Sequence, residues 1–168
     1  MRSIILIVIL VFQPVACRGP LAPGSNTLQE EWVNLSEDGF QLSVPHGFVK
    51  EDVTGIDTYH QRYSGTGMSL SIESETGVEN LNRRLNGKDV VNIERIAGAS
   101  HGTKSLLAKY EFLPGRTNFQ DPDKRFAMEL AVDCRLQSQN ASFLVLYSDP
   151  ADAPTAEKIL RSVIVKCD

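Results

Sequence analysis

The sequence predicts an α+β fold in which an antiparallel β-sheet is packed with helices. Three observations carry that prediction. Apolar residues alternate with polar ones from Arg125 to Leu136, with Phe126, Met128, Leu130, Val132, Cys134 and Leu136 on one side. An Asp38-Gly39 pair separates two short apolar runs, the mark of a β-hairpin. Apolar residues recur at helical spacing at Val78, Leu81 and Leu85, and again at Ala156, Ile159, Leu160 and Val163.

The elements follow in order. Trp32 to Leu35 and Phe40 to Val44 are the hairpin strands, and Pro45-His46-Gly47 ends the second. Tyr59 to Tyr63 alternates again, with Tyr59, Gln61 and Tyr63 on one face. After the Gly65-Thr66-Gly67 turn, Met68, Leu70 and Ile72 face inward while Ser69, Ser71 and Glu73 face out. The glycines do not form a phosphate loop, because no helix follows them. The Val78–Leu85 stripe makes a short helix stopped by Asn86-Gly87. Strands resume at Val90–Ile96 and Ser105–Leu113, then at Arg125–Leu136, where Arg125, Glu129, Asp133 and Arg135 predict a partly wet second face. Phe143 to Tyr147 is a continuous apolar strand, and Pro154 opens a terminal helix with Glu157 and Arg161 outside.

The first seventeen residues set the compartment. Arg2 precedes the apolar run Ser3–Phe12, and Pro14-Val15-Ala16 leads to Cys17. That order is a secretory signal, and about ten apolar residues are too few to span a bilayer of roughly 30 Å. Its end resembles a bacterial lipobox, although Pro14 stands where Leu or Val is usual. The resemblance implies cleavage after residue 16, lipid on Cys17, and an outer-membrane lipoprotein facing the periplasm. A soluble periplasmic protein is the alternative. Residues 17–27, rich in Pro, Gly and Ser, read as a tether, and residues 28–168 as one domain.

Charge excludes a nucleic-acid partner. Removing Arg2 from 17 basic residues leaves 16 against 21 acidic ones, so the mature chain is near −5 and has no basic cluster. With Cys17 assigned to the boundary, Cys134 and Cys167 remain, and in an oxidising compartment they are expected to form a disulfide rather than stay as free thiols.

The order of elements, Gly39-Phe40-x-Leu-x-Val-Pro45 with Phe48, and Ala156-x-x-Ile159-Leu160-x-Ser162-Val163-Ile164 resemble the PsbP-like superfamily, over about Trp32 to Val165. The resemblance implies an α-β-α sandwich and a binding or assembly role, not one chemistry.

Candidate chemistry is sparse. His46, His60 and His101 share no ligand spacing, and Ser100-His101 lacks a nucleophile elbow. Asp121-Pro122-Asp123 offers two carboxylates but lacks the spaced acidic set of a calcium loop, so a Pro-containing turn is the default. Glu73 and Glu75 read as a solvated strand end. No catalytic residue, metal site or cofactor is expected.

The segment Pro114 to Asp123 is long and polar for a connection between two strands, as binding loops are. Arg116, Asn118, Phe119, Asp121 and Asp123 are its candidate contact residues, unless Phe119 folds back on the core. The expected function is that of a monomeric, non-enzymatic envelope lipoprotein that binds a protein: an immunity protein against an exported toxin, or an assembly factor. A small-ligand or lipid binder is the rival.

Overall fold

The structure is a computed structural model describing residues 31–37, 39–52, 60–97, 104–116, 121–136 and 139–167. Ten strands and two helices occur in these ranges: β1 (Trp32–Glu37), β2 (Phe40–Pro45), β3 (Val49–Lys50), β4 (His60–Gly65), β5 (Met68–Ser74), α1 (Val78–Leu85), β6 (Val90–Ile96), β7 (Lys104–Phe112), β8 (Phe126–Asp133), β9 (Ala141–Tyr147), α2 (Ala153–Arg161) and β10 (Ile164–Val165). A 3-10 turn at Pro150–Asp152 leads into α2.

The strands form two sheets. The larger has seven, in the order β3-β4-β5-β9-β8-β7-β6, and every neighbouring pair is antiparallel. The smaller has the order β1-β2-β10. The hairpin turn is built as the Asp-Gly signal requires, with Gly39 at φ +90°, where an L side chain is strained. The hairpin does not extend the main sheet; β2 instead pairs with β10 from the far end of the chain.

The expected α+β fold, a sheet sandwiched by helices, is therefore corrected. Strands hold 51% of the described residues and helix 18%, and both helices are short. The fold is β-rich, with two antiparallel sheets. The physical reason is that β1, β2 and β10 share with α2 the task of covering one face of the main sheet. Phe40, Leu42 and Val44 enter the same buried cluster as Ile159, Leu160, Leu70, Leu130 and Phe143. Alternation identifies a strand but not the sheet it joins.

The opposite face is covered by α1, whose Val78, Leu81 and Leu85 pack on Ala108, Tyr110, Ala127, Ala131, Leu144 and Leu146. The start of α1 is fixed from a distance. The Asp133 carboxylate accepts the Val78 N–H at 2.8 Å, satisfying one of the orphan donors of the first turn. A Cβ at Gly77 would meet that carboxylate, so a side chain there would displace Asp133 from its bond to Val78.

The second face is not wet, which corrects two sequence expectations. Glu129, expected outward on β8, is 2% exposed, and Ser69 and Ser71 on β5 are buried as well. Leu136, expected inward, is exposed because β8 ends at Asp133. The predicted bridge is present: Cys134 and Cys167 are disulfide-bonded with Cα atoms 5.2 Å apart. It ties the end of β8 to the segment just after β10.

Candidate functional site

Among the described residues, the buried charged side chains Arg62, Asp121 and Glu129 lie on the α1-side face of the main sheet. Its register places Ala108, Glu129, Leu144, Ser71 and Arg62 in one row across β7, β8, β9, β5 and β4. Arg62 and Glu129 are three strands apart in that row, about 14 Å at ordinary strand spacing. Each anchors a separate polar cluster.

The first cluster is centred on Glu129. One carboxylate oxygen accepts from Arg84 of α1 at 2.5 Å and from the Tyr110 hydroxyl at 2.7 Å. The other accepts from Ser142 at 2.7 Å. Burial would lower the Arg84 guanidinium, but the Glu129 carboxylate and Tyr110 outweigh it and hold it above its ordinary value. Burial, then the neighbouring Glu129 charge, pushes the Tyr110 phenol well up, so it remains a neutral donor. The cluster binds α1 to the sheet and leaves no unoccupied acid for chemistry.

The second cluster is centred on Asp121 and belongs to the β7–β8 connection. Asp121 is 3% exposed. Its Oδ2 accepts from Arg62 at 2.8 Å and from Ser69 at 2.9 Å, and its Oδ1 accepts from Lys124 at 2.5 Å. Arg62 also pairs with Glu51 at 2.7 Å, so one guanidinium joins β4, the segment after β3 and the connection. Backbone bonds hold the other end: Leu113 donates to Asp89 at 2.9 Å and Arg116 to Leu113 at 2.9 Å.

The predicted contact residues therefore separate. Arg116 is exposed, with 67% of its side chain accessible, and faces Asp89 at 3.4 Å. Asp123 is exposed. Asp121 is withdrawn into the sheet face, where its lone pairs are taken by Arg62, Ser69 and Lys124. Asn118 and Phe119 lie outside the described residues, as do Cys17, the signal, the whole tether and His101. Among the described residues no group of three His, Cys, Asp or Glu side chains could hold a metal ion. No helix among them is long and apolar enough to cross a membrane.

Sequence reasoning missed Arg62, Ser69, Lys124, Glu129 and Arg84. A charged residue in a strand reads as outward-facing when its partner sits on another element. Nothing local marked Arg62 as inward, because its strand, His60-Gln61-Arg62-Tyr63-Ser64-Gly65, is largely polar.

The described cavities are open surface grooves beside α2. One of about 480 Å³ is bounded by Pro154, Glu157, Lys158, Arg161 and Ser162, and one of about 360 Å³ runs between α2 and Glu94, Ile96 and Lys109. No family model matches the chain, and no curated protein matches it.

Proposed function

We propose that the protein is an exported, lipid-anchored and non-enzymatic envelope protein that acts by binding another protein, in an immunity or assembly role. The observation that supports this most is the β7–β8 connection, held at one end by the buried Asp121 cluster and at the other by bonds to Asp89 and Leu113. Fixing the ends of a loop before binding reduces the ordering cost of association. The exposed Arg116 and Asp123, with Asn118 and Phe119 between them in sequence, supply a cation, an anion, an amide and an aromatic ring, suited to an interface. The signal ahead of Cys17 and the Cys134–Cys167 disulfide support an oxidising envelope compartment.

The test is site-specific photocrosslinking in the native envelope. A benzophenone side chain at position 119 is expected to give a discrete adduct to one protein, whereas the same group at the exposed Arg135, beyond the end of β8 opposite the connection, gives none. Equal yields at both positions would discard the loop as the contact. Mass spectrometry of the mature N-terminus checks the anchor; a lipid-free product beginning elsewhere would remove the lipoprotein half of the proposal.

A further inference from the structure

We infer that the free edge of β1 is a self-association site, where a second copy of this chain adds its own β1 antiparallel about a two-fold axis. β1 is the outer strand of the small sheet, and among the described residues nothing pairs with its free edge. The direction of its backbone groups follows from three bonds. The His46 N–H donates to the Glu31 carbonyl at 2.7 Å, which makes those two a hydrogen-bonded pair and carries the pattern to Val33–Val44, Leu35–Leu42 and Glu37–Phe40. On β2 the Ser43 N–H turns away from β1 to the Ser162 hydroxyl, and the Gly39 carbonyl turns away to accept from Lys166. The N–H and C=O groups of Trp32, Asn34 and Ser36 therefore point out of the edge.

The other sheet edges are blunted. β3 and β10 have two residues each, and β6 carries a register shift between Val91 and Glu94 with Asn92 at φ +53°. β1 keeps an unbroken register over six residues, and its one charge is Glu37 at the end. Val33 pairs with Val44 and so takes the inner face beside that buried residue, yet at the edge it stays 40% exposed. An unblunted edge with an open apolar side chain is a template for another strand.

The register selects a second copy as that strand. Edge groups bond only when Trp32, Asn34 and Ser36 oppose one another, so the allowed registers differ in steps of two residues. Centring the two-fold axis on Asn34 sets Asn34 against Asn34, and Trp32 against Ser36 in both directions. Every edge group of the three residues is then satisfied. The same register sets Val33 against Leu35 of the second copy on the inner face, an apolar cross-strand pair made twice. A step either way leaves Trp32 or Ser36 with no strand residue opposite, and puts Glu37 against Val33 or Glu31 against Leu35. The cost of the centred register is Glu31 facing Glu37 of the second copy, a charge that Lys50 already meets at 2.9 Å. A strand that matches itself in this way is what a two-fold interface requires. The site is separate from the β7–β8 connection and does not depend on the envelope reading.

The test reads both mass and register. In sedimentation equilibrium of the full mature chain in density-matched detergent, the mass is expected to rise with concentration from one chain to two. Asn34→Pro removes an N–H that points out of an outer strand, a place where proline is tolerated, and is expected to weaken self-association about tenfold. Opposed residues of a hydrogen-bonded antiparallel pair have Cα atoms about 5.5 Å apart, within disulfide reach, whereas the two copies of Ser36 would stand about 14 Å apart. Under mild oxidation Asn34→Cys is therefore expected to give a linked dimer whose peptides join position 34 to position 34. Ser36→Cys and the wild type, which controls for Cys17, are expected not to link. A chain that stays monomeric at every concentration, or a dimer that Asn34→Pro does not weaken, would overturn the proposal. So would equal linking of Asn34→Cys and Ser36→Cys, a result that holds even where Asn34→Pro does not fold.

Discussion

The two faces of the seven-stranded sheet are stabilised by different physics. The face under α2 and the small sheet is an apolar seam in which Leu70, Leu130, Phe143, Val145, Ile159 and Leu160 are wholly buried. The face under α1 mixes apolar packing with Glu129, Arg62, Asp121, Ser69, Ser71 and Ser142, all buried. Burial of apolar area drives folding but tolerates neighbours of similar volume. Buried ion clusters add little net stability, because desolvation offsets attraction, yet removing one partner leaves an uncompensated charge. The apolar face therefore holds the domain together, while the charged face fixes particular segments: α1 through Glu129, and the β7–β8 connection through Asp121.

Cys167→Ser, the largest expected effect, opens a loop closed over a separation of 33 residues and should cost about 4 kcal/mol on the chain-entropy model, read as a drop in melting temperature. On the charged face, Asp121→Ala takes the carboxylate from buried Lys124 and leaves Arg62 with Glu51, and should lower unfolding free energy by about 3 kcal/mol in urea melts. A loss below about 1 kcal/mol would mean that water reaches the cluster. Leu130→Ala, the matching cut on the apolar face, should cost about 2–5 kcal/mol through lost transfer and a cavity. The two variants should differ in repair: Leu130→Met restores most of the stability, whereas Asp121→Leu does not.

Alkaline pH gives a smaller and graded effect on both faces. Burial, followed by the nearby Asp152, Glu111 and Glu94 charges, pushes Tyr147 on the apolar face up to about 12. Tyr110 on the charged face is raised as well. In the unfolded chain both phenols ionise near pH 10 while in the fold they remain neutral. The unfolded state then binds fewer protons, so stability is full below about pH 10 and falls as pH rises toward about 12. Tyr147→Phe should flatten part of that fall in melts at stepped pH; an unchanged slope would place the effect elsewhere.

These contrasts also show which parts of the molecule were legible beforehand. The apolar face was readable because period-two alternation in Met68–Ile72 and Phe126–Val132, and helical spacing in Ala156–Val163, are local properties. The disulfide followed from cysteine arithmetic and compartment. The charged face was not readable. Glu129 is an inward residue only because Arg84, 45 positions away, comes down from α1 to meet it, and Asp121 only because Arg62, 59 positions away, does the same. The second sheet escaped for a related reason: the pairing of β10 with β2 spans most of the chain. At the proposed contact site, local composition identified Arg116 and Asp123 as surface groups, but it treated Asp121 like its neighbours when its partners make it an anchor.

The claim that the charged face fixes the β7–β8 connection is tested most directly by a double-mutant cycle on Arg62 and Asp121. Unfolding free energies of the wild type, Arg62→Met, Asp121→Ala and the double variant would be compared at pH 7. The account predicts a coupling of about 1–3 kcal/mol, with the double variant less damaged than the sum of the single ones. A coupling within about 0.3 kcal/mol of zero would contradict it, because the two residues would then contribute independently and the connection would owe its position to something other than this pair.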